Sequence, residues 1–161
     1  MPRRAATDDV AAIVRLVNTA YRVEDFFVRG DRTSEEDVRA RVAAPHGSFL
    51  VIDAPEAHAL AGAVYVEIRG DRGHFAMLAV DPERQGQGIA RALVRAVEDH
   101  CLAAGCHYLD IDVVNLRSEL PPFYAKLGFV PDGTAPFPDP TKLRRAAHVV
   151  LMTKPLVVQS G

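Results

Sequence analysis

Between residues 73 and 114 the chain passes from an apolar stretch through a glycine turn and a long amphipathic segment into a second, alternating stretch. "GHFAMLAV" (73 to 80) reads as a strand, with His74, Ala76, Leu78 and Val80 on one side. After "DPERQGQG", the residues Ile89, Leu93, Ala96, Val97, His100 and Cys101 recur on one stripe. That spacing predicts a helix from about 87 to 104, closed by Gly105. "HYLDIDVV" (107 to 114) then sets Leu109, Ile111 and Val113 against Asp110 and Asp112, the alternation of a half-buried strand. A strand, helix, strand crossover joins parallel neighbours and lays its helix on the sheet, so this stretch alone commits the chain to an α/β arrangement.

The flanking segments supply antiparallel pieces. Val10, Ile13, Val14 and Val17 follow the polar start Thr7-Asp8-Asp9 at helical spacing, predicting a first helix from about 8 to 20. "YRVEDFFVRGDR" interrupts it as a connection, and "TSEEDVRARVAA" restarts a helix with Ser34 as its cap. "SFLVID" (48 to 53) and "LAGAVYVEI" (60 to 68), divided by Pro55 and polar residues, read as an antiparallel pair. "LRSELPPFYAKLGF" reads as a loop and short helix ending at Gly128, "FVPDGT" begins a strand, and "AAHVVLMTK" (146 to 154) forms the last one. Between them lies a proline-rich stretch from 131 to 145, read as a long loop bordering a pocket. The expected fold is a mixed, mostly antiparallel α/β (α+β) sheet of about six or seven strands with helices on both faces.

At 161 residues the chain has room for one domain, read as residues 1 to 161, with a real core. A formal net charge of −2 supplies no general pull toward nucleic acid or anionic membrane, and neither is expected as a partner. No stretch approaches the roughly 18 apolar residues of a membrane span. Only Cys101 and Cys106 are present, at a spacing that fits neither a metal knuckle nor a disulfide framework, so a cytoplasmic location is expected. The apolar tail "PLVVQSG" could serve a homodimer interface or fray.

The glycines need a reason, since each costs about 1 kcal/mol relative to alanine within a helical turn. Gly86 and Gly88 at a helix start allow positive φ and close approach of a ligand, and several orphan N–H groups then converge on one anion. A P-loop requires Gly-Lys-Ser/Thr, but Ile89 and Ala90 follow Gly88. A dinucleotide fingerprint puts a small residue where this chain has Arg91, and its turn follows the strand without the intervening "DPERQ". A nucleotide-cofactor oxidoreductase is therefore a remote alternative.

"QGQGIA" (Gln85 to Ala90) has the form Q/R-x-x-G-x-G/A, and "FAMLAV", "DVVN" and "FYAKLGF" accompany it in order over roughly residues 60 to 130. In these motifs the chain resembles the GNAT superfamily of N-acetyltransferases. The resemblance implies a GNAT-like fold, acetyl-CoA as acetyl donor with no metal, and an amine acceptor. It further implies that the backbone of Gln85, Gly86, Gln87, Gly88, Ile89 and Ala90 holds the cofactor's diphosphate. Main-chain groups of Leu78, Ala79 and Val80 would pair with its amide arm as an added strand would. Asn115 would bind the same arm or cap its own turn. Arg84, Arg91 and Arg117 are candidates for phosphate contacts, without an assigned role.

An amine attacks a thioester only when neutral, and a departing thiolate leaves more readily if a proton is supplied. Tyr124 matches the family's proton-donor position, and His74 stands where some members carry a glutamate base; Glu67 and Glu24 are runners-up. Asp110 and Asp112 read as solvated alternation rather than a catalytic pair. Glu24, Phe26 and Phe27 fall where the family shapes its acceptor pocket, so they are expected to contact the acceptor. Two functions fit: direct acetyl transfer to an amine of a small molecule or peptide, or an acyl-CoA sensor without turnover.

Overall fold

Val10, Ile13, Leu16 and Val17 form one stripe of the helix Val10–Ala20 (α1), and their burial contributes about 1.5–3 kcal/mol for each large side chain. The second helix, Glu35–Ala43 (α2), starts where the Ser34 hydroxyl accepts the N–H of Asp37 at 3.1 Å, the predicted cap. In this computed structural model, which describes residues 1–157, the helices lie against a seven-stranded sheet. Its strands are Arg3–Arg4 (β1), Gly47–Asp53 (β2), Leu60–Arg69 (β3), Arg72–Val80 (β4), Tyr108–Val114 (β5), Val130–Pro136 (β6) and His148–Pro155 (β7). They run in the order β1-β2-β3-β4-β5-β7-β6, with only β4 and β5 parallel. The mixed, mostly antiparallel sheet of the sequence reading is therefore correct. The short strand β1 was not foreseen, because two arginines carry no strand signal. Of the apolar tail, residues 158–161 lie outside the described residues.

Each face of the sheet has its own core. Helices α1 and α2 cover Phe49, Val51, Ala63, Tyr65, Met77 and Ala79. The crossover helix Ile89–Ala103 (α3) and the short helix Leu120–Lys126 (α4) cover Val64, Val66, Phe75, Leu109, Ile111 and Val113. Helix α3 begins at Ile89 rather than 87, because Gly88 takes the left-handed conformation at its cap. Gly105, at φ +86°, follows its last turn as expected.

Strand β4 departs from the reading in a way that shapes the molecule. Ala79 faces Ala63 and Ala76 faces Tyr65 across β3, so two residues of β4, Met77 and Leu78, stand opposite Val64 alone. This β-bulge puts Met77 at φ +55°, unusual for a side chain of its size, and reverses the alternation beyond it. His74 and Ala76 consequently point to the α1 face, while Leu78 and Val80 point to the α3 face. The expectation that all four share a side is corrected, since one inserted residue moves every later side chain across the sheet. On the other side of β4, the ladder with β5 holds only Arg72/Tyr108, Gly73/Leu109 and His74/Asp110. Past that point the two strands part.

The proline-rich stretch is also shorter as a loop than predicted. Residues 131 to 136 belong to β6, an edge strand where proline loses no ladder bond. The remaining loop, 137 to 147, is tied to the segment after α1 by Arg29 N–H to Lys142 C=O (2.8 Å), Arg144 N–H to Phe27 C=O (2.7 Å) and a Val28/Leu143 bridge.

Gly73 allows α3 to lie close on β4, for a Cβ there would stand 2.3 Å from Cys101 Sγ. Gly73→Ala is expected to lower stability by about 1–3 kcal/mol through overpacking, read as a lower urea midpoint at unchanged slope.

Candidate functional site

The parting of β4 and β5 opens a cleft of about 960 Å³. One wall carries β4 residues from His74 to Leu78 together with Val80, the other carries Ile111 to Val114 of β5, and the glycine turn and the start of α3 lie at one end. The segment after α1 and the loop from Phe137 to Lys142 border the other. Beyond His74 the edge of β4 that faces β5 has no strand partner among the described residues, so its main-chain groups are open to an extended ligand.

At the turn, Gly86 (φ +82°) and Gly88 (φ +78°) both adopt the left-handed region, where a side chain is strained, and a Cβ on either would meet open space. The glycines thus serve backbone shape rather than packing. Among the described residues, the main-chain N–H groups from Gly86 to Arg91 have no acceptor within the protein. These donors are left without an acceptor around the positive end of α3, a setting suited to a diphosphate. Gly86, Gly88, Ile89, Ala90 and Gln85 line the cleft, whereas the Gln87 side chain does not. Among the described residues Arg91 lines it without a carboxylate partner, while Arg84 is engaged by Glu56 and Asp81.

Tyr124, on α4, is buried among Phe75, Phe123 and Phe129 with ring centroids 5.1–6.0 Å away, yet it lines the cleft, and among the described residues its hydroxyl makes no hydrogen bond. Burial, reinforced by the neighbouring Tyr21, pushes its ionisation well above the ordinary tyrosine range. The hydroxyl is a held proton facing the cleft.

His74 lines the cleft from β4, with Nε2 buried and 3.3 Å from Oδ2 of Asp112 on β5. Asp112 is held below the usual carboxylate range by His74 first, against the opposing effect of burial. Asp110 is gripped by Arg72 at 2.7 and 2.8 Å. Asp112 is exposed and Asp110 half-buried, as the alternation predicts, and each also has a partner on β4. The strand period could not show what lies across the sheet from each.

Toward the other end, Glu24 lies with its side chain only 12% exposed and accepts a 3.0 Å bond from Arg117, which also holds Glu119. Burial raises the Glu24 carboxyl above its ordinary range, against the opposing pull of Arg117. Arg117 therefore belongs to this end and not to the glycine turn. Phe26 and Phe27 do not join the cleft. Phe27 is fully buried, and Phe26 lies outside beneath the Arg145 guanidinium, 5.8 Å from ring centroid to charge. A pair of adjacent aromatics on a turning segment points two ways, and here both directions lead away from the site. Tyr21, Arg32 and Phe137 line the cleft instead; none had a local signal, since each arrives there through chain reversal. Leu78 and Val80 line the cleft, while the Ala79 methyl points into the α1 core. Asn115 is absent from the lining. Its Oδ1 accepts the N–H of His148 and its own N–H binds His148 C=O, both at 2.9 Å, which pins the end of β5 to β7.

Residues 12–129 match the model of the family described as Acetyltransferase (GNAT) family. Among curated proteins, glucosamine 6-phosphate N-acetyltransferase 1 of Oryza sativa subsp. japonica is 37% identical over 109 residues, 60% of this chain and 64% of that protein. The chain thus spans less than two thirds of that relative. Among solved structures, smu.2055 of Streptococcus mutans UA159 superposes with a TM-score of 0.80 at 18% identity, covering 98% of this chain and 99% of that one. YncA of Salmonella typhimurium, solved with its cofactor acetyl-CoA, gives 0.74 at 19% identity, covering 100% and 96%. At these identities the two structures establish the fold.

Because the folded state resists ionising Tyr124, its contribution to stability is present below the ordinary tyrosine value of about 10 and is lost as pH rises through and above it. Urea midpoints measured across that alkaline range are expected to fall more steeply for the wild type than for Tyr124→Phe.

Proposed function

Since the chain belongs to the acetyltransferase (GNAT) family, we propose that it moves an acetyl group from acetyl-CoA to the amine of a small molecule or peptide, with both bound at once. The observation that carries this reading is the row of unpaired N–H groups from Gly86 to Arg91 opening on a cleft between parted strands. Those donors would hold the diphosphate, and the unpaired edge of β4 around Leu78, Ala79 and Val80 would accept and donate to the amide arm. Bound acetyl-CoA supplies an electrophilic thioester carbonyl and a sulfur leaving group.

The chain's own side chains then do two jobs. His74 takes a proton from the attacking nitrogen, and Tyr124 delivers one to the departing sulfur; its buried hydroxyl stays protonated at neutral pH. Glu24 and Arg117, buried together at the far end, bind polar groups of the acceptor. The covering segments there are tied to each other by main-chain bonds, which favours a small polar amine over a long protein segment. Two free, buried cysteines support a cytoplasmic setting.

A sensor that binds acyl-CoA without turnover is the competing reading, and Tyr124 separates the two. Acetyl-CoA at about 100 times its Kd is expected to stabilise the protein by about 2.7 kcal/mol, seen as a raised Tm, under either reading. Thiol release across a panel of amino sugars, glucosamine 6-phosphate included, amino acids, polyamines and peptides is expected only of an enzyme. With an accepted amine, Tyr124→Phe is expected to lower kcat by about 10²–10⁴ while leaving the Tm shift intact. Gly88→Val strains a φ of +78° and is expected to weaken the acetyl-CoA shift itself. Stabilisation by acetyl-CoA with no thiol released by any amine would leave the sensor standing.

A further inference from the structure

We propose that Asp112 is a positioning residue for His74: it holds Nε2–H, so that Nδ1 is the basic nitrogen turned to the cleft. The inference rests on the role of His74 as base proposed above. It starts from the place where β4 and β5 separate. The last bonded pair is His74/Asp110, and Asp112 is the next residue on the same face of β5, where the gap has begun to open. Nε2 of His74 lies 3.3 Å from Asp112 Oδ2, is buried and has no other acceptor in reach. The contact is close but not aligned, as hydrogen bonds in ligand-free catalytic sites often are before they tighten.

Charged groups face His74 from every neighbouring element. Glu67 stands opposite it on β3, Asp110 and Asp112 are on β5, Arg72 is on its own strand, Arg69 is on β3 and Arg41 reaches over from α2. Glu67 is engaged by Arg69 at 2.8 Å and Asp110 by Arg72 at 2.7 Å. Among the described residues Asp112 has no arginine or lysine within ion-pair distance; His74 is its partner. Of the three carboxylates around the imidazole, it is the one whose charge is free to respond to the ring.

A carboxylate only accepts hydrogen bonds, so the nitrogen facing it must carry the ring's proton. The lone pair of the neutral ring is then on Nδ1, which among the described residues makes no hydrogen bond and, unlike Nε2, is not a buried unpaired atom of this cleft-lining ring. In the transfer, the amine nitrogen bonds to the carbonyl carbon and gives its proton to Nδ1. The C–S bond breaks with its electron pair on sulfur, and sulfur takes the proton of Tyr124. The imidazolium, stabilised by Asp112, then returns its proton through solvent to the tyrosinate, and both side chains are restored.

The test uses the full chain labelled with ¹⁵N, its His74 signals assigned by comparison with His74→Gln. The expected result is the Nε2–H tautomer for the neutral ring of the wild type. In Asp112→Ala, loss of the acceptor removes what fixes the proton on Nε2, so the Nδ1–H tautomer gains population. With an accepted amine kcat should fall about tenfold, and Asp112→Glu should recover part of both. An Nδ1–H tautomer in the wild type overturns the proposal, as does an Asp112→Ala protein whose tautomer stays in place. Unimpaired turnover in His74→Gln sinks the base role itself; that separate failure is recognised because the wild-type tautomer would still respond to Asp112. If no amine is turned over at all, the tautomer still decides whether Asp112 governs the ring.

Discussion

Two parallel strands bonded along their whole length leave nothing between them, and a ligand can then lie only above or below the sheet. Strands β4 and β5 are bonded over three residue pairs and then separate, so the interior of the sheet itself becomes the site. The cause is local. An inserted residue at Met77 bends β4 away while its other edge stays paired to β3. Met77 bears a positive φ that a side chain of its size tolerates poorly, and it can do so because it is fully packed beneath α1. Strain, cleft and unpaired strand edge are one feature.

Everything chemical in the molecule is arranged around that gap. Helix α3, forced back across the sheet by the parallel connection, starts at the mouth of the gap and aims its orphan N–H groups there. Helix α4 brings Tyr124 into the core it shares with α3, where burial among aromatic neighbours keeps the proton on the hydroxyl. His74, on the β4 face that the bulge separates from Leu78 and Val80, meets β5 across the opening. Buried charges elsewhere in the cleft are compensated in pairs. Glu24 and Arg117 are both largely out of water, and an unpaired charge in either position would be costly.

Much of this was legible from local patterns. The helix stripes of α1 and α3, the hairpin of β2 and β3, the Ser34 cap and the turn glycines each depend on residues within a few positions of one another, and period and propensity report such relations. Tyr124 and the glycine turn were singled out by motif, and both line the cleft. Errors arose where the decisive neighbour was distant in sequence. Phe26 and Phe27 looked like pocket residues because nothing nearby reveals which way an aromatic turns. Asp112 is exposed, as read, but its contact with His74 was hidden because that partner lies on another strand. The bulge in β4 was invisible because "HFAMLAV" alternates well enough to pass for an uninterrupted strand, and only its register against β3 exposes the extra residue.

By itself, then, the order of residues determined which segments become helix or strand, that one crossover must be parallel, and where glycines leave bare backbone at a helix start. These follow from short-range sterics, hydrogen bonding and the periodic placement of apolar groups. The tertiary structure alone decided where two strands part, which face each side chain of β4 takes beyond Met77, and which carboxylate meets the His74 ring. Those outcomes depend on register and packing between residues far apart in the chain, and a shift of one position in a strand exchanges its two faces.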